Sequence, residues 1–173
     1  MKFIALATLA FTWIFSTSIY SLEFQDIDGN SRPMSQYQGK KILIVPISTG
    51  SSRVGQLQGL QQLHQQYGDS LVVIGFPTNS FNSETRTDAQ IRQFCQETYG
   101  VTFLLAKKNP VTGEGIQSIF HWLASSSENG VMDAPAVTSF QKFLVNESGQ
   151  LVGVFSPSIA PTDPQIVNAL TNQ

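Results

Sequence analysis

Cysteine occurs once in the 173 residues, at Cys95, and histidine twice, at His64 and His121. One thiol cannot close an internal disulfide, form a CxxC redox pair or build a cysteine-based zinc site. The two histidines stand far apart and no stretch has metal-ligand spacing, so no metal is expected and no cofactor is implied. Charge is scarce as well: 13% of residues are Asp, Glu, Lys or Arg, against about a quarter in ordinary domains. Gln, Ser, Thr and Asn carry the polarity instead. The net charge is -2 and there is no basic run, which argues against a nucleic-acid partner.

What is present begins with a leader. Lys2 precedes an apolar run over residues 3–15, closed by Ser16, Thr17 and Ser18. That order is the order of a secretory signal peptide, and the run is too short to span a bilayer comfortably. The expectation is a signal peptide over residues 1–18, cut after Ser18 or Ser21. The alternative is an uncleaved anchor. Contact with a membrane is expected only through this segment, and the location is extracytoplasmic, either periplasmic or secreted. Residues 19–173 then suit one domain, with enough apolar content, 41% over the chain, for a real core.

Along that domain, residues 24–30 read as a strand followed by Asp28-Gly29-Asn30 turn chemistry. Residues 41–47 (KILIVPI) form a continuous apolar strand, buried on both faces and stopped near Pro46. The stretch ISTGSSRVGQLQGL, from Ile47 to Leu60, leaves that strand, turns, and enters a helix expected over residues 51–67. Val54, Leu57, Leu60, Leu63 and Tyr67 give the helix one apolar face. Residues 71–76 (LVVIGF) form a second buried strand. Strand, helix and strand make a right-handed βαβ unit. Thr87 to Gln90 has the pattern of a capping box opening a second helix, closed at Gly100. A short strand over 102–105, a helix over 116–124, a hairpin of strands 140–145 and 151–155, and a last helix from Pro164 to about Leu170 complete the reading. A βαβ half joined to a ββα half is the thioredoxin arrangement: an α/β fold with a central mixed sheet flanked by helices. Sites in such sheets collect beyond the carboxyl ends of the strands, here residues 48–53 and 77–86.

These residues resemble the glutathione peroxidase family. The resemblance is carried by Ser18-Ile19-Tyr20, Asp26-Ile27-Asp28-Gly29-Asn30, Tyr37 with Gly39-Lys40-Lys41, Gln58-Gly59-Leu60, Gly75-Phe76-Pro77, Asn79 and Phe81. Phe94-Cys95, Tyr99-Gly100-Val101-Thr102-Phe103, Trp122-Leu123 and Phe140 with Lys142-Phe143-Leu144-Val145 extend it, in register from Ile19 to Leu170. It implies a glutathione-peroxidase type of thioredoxin fold. It also implies hydroperoxide reduction by a cysteine or selenocysteine, with glutathione or thioredoxin as reductant and peroxide as substrate. Placing the family's Glu-Gly-Leu on Gln58-Gly59-Leu60 puts the nucleophile position at Ser51. The glutamine position falls on Glu84, the tryptophan on Thr138, the asparagine on Ser139, and the loop cysteine on Thr78. All four reactive positions are substituted. The segment 124–137 is shorter than in tetrameric members, so a monomer is expected.

Peroxide reduction requires a thiolate that becomes a sulfenic acid, and serine has no such ladder. A Ser51 hydrolase needs a base within hydrogen-bond reach. His64, thirteen residues further along one helix, lies roughly 20 Å away, and both histidines read as partly exposed helix residues. Glu84 is the remaining candidate base. Cys95 is the sole thiol, one residue from Gln96, where thioredoxin-dependent members place a resolving cysteine. On the apolar face with Ile91 and Phe94 it reads as a small core residue. The turn has glycines at Gly50 and Gly55 but no P-loop ending, so Ser51 or Ser52 is expected to cap the helix. The expected function is a non-catalytic binding or regulatory relative. The alternatives are a residual peroxidase through Cys95 or a hydrolase through Ser51.

Overall fold

The computed structural model describes residues 17–134 and 136–171. The apolar run over residues 3–15 lies outside them. The described chain opens with a 3-10 turn, Ile19–Ser21, capped by the Ser18 hydroxyl, which accepts the Tyr20 N–H. Ile19 is fully buried. A hairpin follows, β1 (Glu23–Gln25) and β2 (Ser31–Pro33). Its loop is built on the Asp26 carboxylate, which accepts the Asp28 and Asn30 N–H groups and pairs with Arg32 at 2.7 Å. These bonds hold Asp26 below the usual carboxylate range against the opposing effect of burial, the largest single influence on it. The turn was legible in the sequence, while its returning strand β2 was not.

The body is β3 (Lys41–Ile47), α1 (Gln56–Tyr67), β4 (Leu71–Pro77), α2 (Asp88–Tyr99), β5 (Leu104–Leu105), α3 (Ser118–Ala124), α4 (Ser126–Asn129), β6 (Lys142–Val145), β7 (Leu151–Phe155) and α5 (Pro164–Thr171). The sheet order is β5-β4-β3-β6-β7, with β3 parallel to β4 and antiparallel to β6. It is therefore a mixed, thioredoxin-like sheet. β3 is buried at every position and separates two cores. Ile42, Ile44, Ile74 and Phe76 face one, with Phe120, Trp122 and Phe143. Leu43, Val45, Leu57, Leu60, Val73 and Cys95 face the other. Continuous apolar strands buried on both faces are the signature of this layering.

Several boundaries differ from the expectation, for local reasons. α1 begins at Gln56, not Ser51. Residues 51–55 form turns with i to i−3 bonds (Gln56 N–H to Arg53 O, 2.9 Å; Leu57 N–H to Val54 O, 3.0 Å). The Ser51 hydroxyl accepts the Arg53 N–H at 3.2 Å, a serine–backbone turn that competes with helix, and Gly55 is the cap residue. Neither Ser51 nor Ser52 caps α1. β6 begins at Lys142, not Phe140, because Phe140 sits at φ 62°, outside any strand conformation. Pro46 does not end β3. Its missing N–H faces the β6 side, beyond the last ladder pair, Ile44 with Phe143. The Thr87–Gln90 capping box is present in both directions, and Gly100 closes α2 at φ 62°.

Candidate active site

The turn leaving β3 is gripped from the loop that follows β4. Glu84 is 4% exposed. Its Oε2 accepts the Thr49 N–H at 2.6 Å, and its Oε1 accepts the Thr49 hydroxyl at 2.9 Å and the Arg86 N–H at 3.1 Å. Arg86 in turn donates to Thr49 Oγ1 at 2.7 Å, with its guanidinium 4.5 Å from the centre of the Phe94 ring. Ser83 Oγ donates to Ser48 Oγ at 2.8 Å. Gly50 completes the contact: a Cβ there would lie 2.1 Å from the Ser83 carbonyl oxygen. Only a glycine lets these two backbones approach so closely. The turn's amide cradle is thus already occupied by an anion, and the anion is the chain's own carboxylate.

Ser51 is half-buried. Its N–H donates to Ser48 O at 3.2 Å, and its Oγ is engaged by Arg53 as described. Glu84 is bonded to Thr49 and Arg86 rather than to Ser51, and His64 lies on the last turn of α1. Among the described residues, no carboxylate or imidazole is hydrogen-bonded to the Ser51 hydroxyl. The Ser51–Glu84 pair considered for hydrolysis is not formed.

The segment 138–140 reaches the same end of the sheet by one bond: the Phe140 N–H donates to Pro46 O at 2.7 Å. Phe140 is fully buried, and burial plus this bond hold an aromatic residue in the left-handed region. Thr138 is exposed, with its N–H on Gln141 Oε1 at 3.1 Å. The Ser139 hydroxyl is buried with no hydrogen-bond partner. The segments that carry Ser51, Glu84, Thr138 and Ser139 therefore all anchor on the carboxyl end of β3. Thr78, at the end of β4, is fully buried, and its hydroxyl donates to Ser80 Oγ at 3.0 Å.

Cys95 is fully buried beneath this loop, on the α2 face that also carries Ile91. Burial, then the Glu84 carboxylate, push its thiol up to about 12, with Arg86 pulling weakly the other way. At neutral pH it has essentially no thiolate. His121 is exposed, 4.0 Å from the Glu128 carboxylate. His64 is half-buried, with Nδ1 unpartnered and its ring edge towards Phe103.

One residue beside the site carried no sequence signal as a site group. Lys142 is fully buried in β6. Its ammonium donates to Gln56 Oε1 at 2.5 Å, to Ile159 O, and more distantly to Pro157 O. It thereby ties the start of α1 to the loop before α5. All three acceptors are neutral. Burial, then the charge of Arg53, pull this amine down to about 8. In the unfolded chain it titrates near 10.5, so the folded state sheds the proton first. Its penalty is complete below about pH 8 and fades as pH rises toward the unfolded value. Urea unfolding should show stability rising by up to about 2 kcal/mol between about pH 7.5 and 9.5. Lys142→Met should abolish that slope; an unchanged slope would mean that the amine is not the group responsible.

This geometry matches known proteins along most of the chain. The glutathione peroxidase family model matches residues 19–124. The chain is 36% identical over 157 residues to the glutathione peroxidase-like peroxiredoxin GPX5 of Chlamydomonas reinhardtii, covering 87% of this chain and 96% of that protein. It is 33% identical over 149 residues to the glutathione peroxidase homolog BsaA of Bacillus subtilis, covering 84% and 92%. Among solved structures, Trgpx in its apo form superposes with a TM-score of 0.65 at 25% identity, over 91% of this chain and 98% of the other. A family match across more than half the chain, relatives above 30% identity and the shared mixed sheet lead to one conclusion: the chain belongs to the glutathione peroxidase family.

Proposed function

We propose that this protein is a non-catalytic, extracytoplasmic member of a family whose activity is thiol-dependent peroxide reduction, working as a binding or regulatory relative. The observation that carries this reading is the Glu84 carboxylate fixed on the Thr49 amide at 2.6 Å, two residues before a half-buried serine. A fixed negative charge there opposes formation of any neighbouring thiolate or oxyanion. With Ser51 at the nucleophile position, no atom of the turn can be carried to a sulfenic acid. Cys95, inaccessible and protonated, supports the same reading. In the test, hydrogen peroxide and an organic hydroperoxide are supplied with either the thioredoxin system or glutathione. Consumption should equal that of buffer. Turnover abolished by Cys95→Ala would overturn the proposal in favour of a residual peroxidase. Ester hydrolysis abolished by Ser51→Ala would overturn it in favour of a hydrolase.

The location rests on the leader over residues 1–18, and the packing of Ile19 favours one cut. Ile19 is fully buried, and the Tyr20 hydroxyl donates to Glu147 O at 2.8 Å. Cleavage after Ser21 would remove both, and losing a buried isoleucine costs about 2–5 kcal/mol. Cleavage after Ser18 keeps them. N-terminal sequencing of protein exported from its native host should therefore begin at Ile19. A chain beginning at Leu22 would refute this assignment, and an intact Met1 would mark a retained anchor.

A further inference from the structure

The opposite end of the sheet has a gap. β4 is paired with β3 along its whole length, but with β5 only at Ile74 and Gly75. Gln61 is the cause. Its side chain accepts the Thr102 N–H at 2.8 Å and donates to the Thr102 hydroxyl at 2.8 Å. That draws the chain toward α1 just where it would otherwise extend β5 along β4. The result is a cavity of about 450 Å³ against Leu71 and Val73, within the range of pockets that hold small ligands. It lies far from the Ser48–Gly50 turn, because Leu71 and Pro77 are the two ends of β4, roughly 20 Å apart at strand rise.

The main-chain groups facing this gap follow from strand alternation. The Thr78 N–H donates to Ile47 O at 3.0 Å. Even-numbered β4 residues therefore address β3, and odd-numbered ones address the other side. Gly75 O and Pro77 O agree, accepting from Ala106 at 2.8 Å and Asn109 at 3.2 Å. In the β4–β5 register, Val73 O takes the Leu104 N–H. That leaves the Leu71 N–H, the Leu71 C=O and the Val73 N–H without a protein partner, in residues only 2% and 1% exposed. Buried main-chain groups are rarely left unpaired. A donor, an acceptor and a donor at strand spacing match one extended peptide segment. The cavity rim supplies both signs of charge, in the pairs Arg92–Asp28 and Arg32–Asp26. Arg92 and Asp28 are about half exposed, at 43% and 52%, so both remain able to meet a ligand's charges.

We propose that this gap binds a short peptide with free termini. The peptide lies extended along Leu71 and Val73 and supplies the strand that β5 leaves out. Its ammonium and carboxylate meet the Asp and Arg of the rim. A rim of balanced charge suits a zwitterion better than an anion alone, and a closed cavity suits a free peptide better than an internal segment of a protein. The site needs no chemistry at Ser51, so it stands or falls separately from the reading of the turn.

The test is amide NMR of the full domain titrated with trialanine and with N-acetyl-trialanine amide. Trialanine should shift the Leu71 and Val73 amides, and the capped peptide should bind at least about tenfold more weakly, the loss of one charge-assisted contact. Arg92→Gln, at a half-exposed position, should leave the spectrum native and weaken trialanine by about the same factor. No shift of the Leu71 and Val73 amides up to about 10 mM trialanine, weaker than most specific small-ligand binding, would overturn the proposal. So would equal affinity for the capped peptide, or shifts centred on the Gly50 turn.

Discussion

Ser51→Cys alone should leave hydroperoxide turnover close to that of buffer. Ser51→Cys combined with Glu84→Gln, Thr138→Trp and Ser139→Asn should raise it by about two orders of magnitude or more, the usual worth of positioned proton-transfer groups. The single variant supplies sulfur but no means of ionising it. The Glu84 carboxylate stays on Thr49, two residues away, and a like charge raises a thiol's pKa. Glutamine changes this without dismantling the grip. Its carbonyl oxygen still accepts the Thr49 N–H, and its amide nitrogen becomes a donor in place of an anionic oxygen. Asparagine at 139 replaces a buried hydroxyl that has no partner by a side chain with two donors. Tryptophan at 138 adds an indole N–H on an exposed segment anchored to Pro46. The measurement is peroxide consumption coupled to the thioredoxin system. If the single and quadruple variants have the same rate, Glu84 is not what silences the turn, and the placement of the family's reactive positions loses its support.

Gly50→Ala should destabilise the fold by about 3 kcal/mol, at the upper end of overpacking costs. The new methyl would sit 2.1 Å from the Ser83 carbonyl oxygen and 3.2 Å from its carbon. No rotamer relieves that contact, since both partners are main chain. The loop must withdraw, and Glu84 withdraws with it from the Thr49 amide, which leaves buried polar groups unpaired. In urea the midpoint should fall by about 1–3 M for ordinary slopes. Gly55→Ala is the matched comparison. Nothing lies within 4 Å of its Cβ position and its φ is -58°, so it should be neutral or slightly stabilising. Equal effects at the two positions would show that the cost belongs to glycine replacement in general and not to the loop contact.

The two variants probe what the sequence could and could not disclose. Strands β3 and β4 were legible because both are apolar runs of strand length. α2 was legible because Thr87 and Gln90 sit at capping-box spacing and Gly100 supplies the left-handed stop. Residues 51–55 were misread as helix because Val54 continues the apolar period, whereas the outcome was decided by a serine hydroxyl bonding its own neighbour's backbone. The late start of β6 was invisible for a similar reason, since the positive φ of Phe140 depends on a bond to Pro46, 94 positions earlier in the chain. In the candidate site, alignment could place Glu84 opposite the turn but could not show what it holds. Its partner is a main-chain amide, which has no identity in a sequence. Lys142 was counted as part of a matching motif, yet nothing around it in the chain announces a buried amine. Its acceptors come from residues 56, 157 and 159.

The isolation of Cys95 has a practical corollary. A thiol with no exposed surface and a proton held up to about 12 cannot meet a disulfide reagent while the two halves of the molecule stay closed around it. As the only sulfhydryl in the chain, it is an internal stopwatch. The rate at which a chromogenic disulfide consumes it reports how often α2 lifts from the sheet, with no label attached and no second thiol to confuse the trace. In an oxidising space the same seclusion keeps two copies from being joined covalently, for as long as each remains folded.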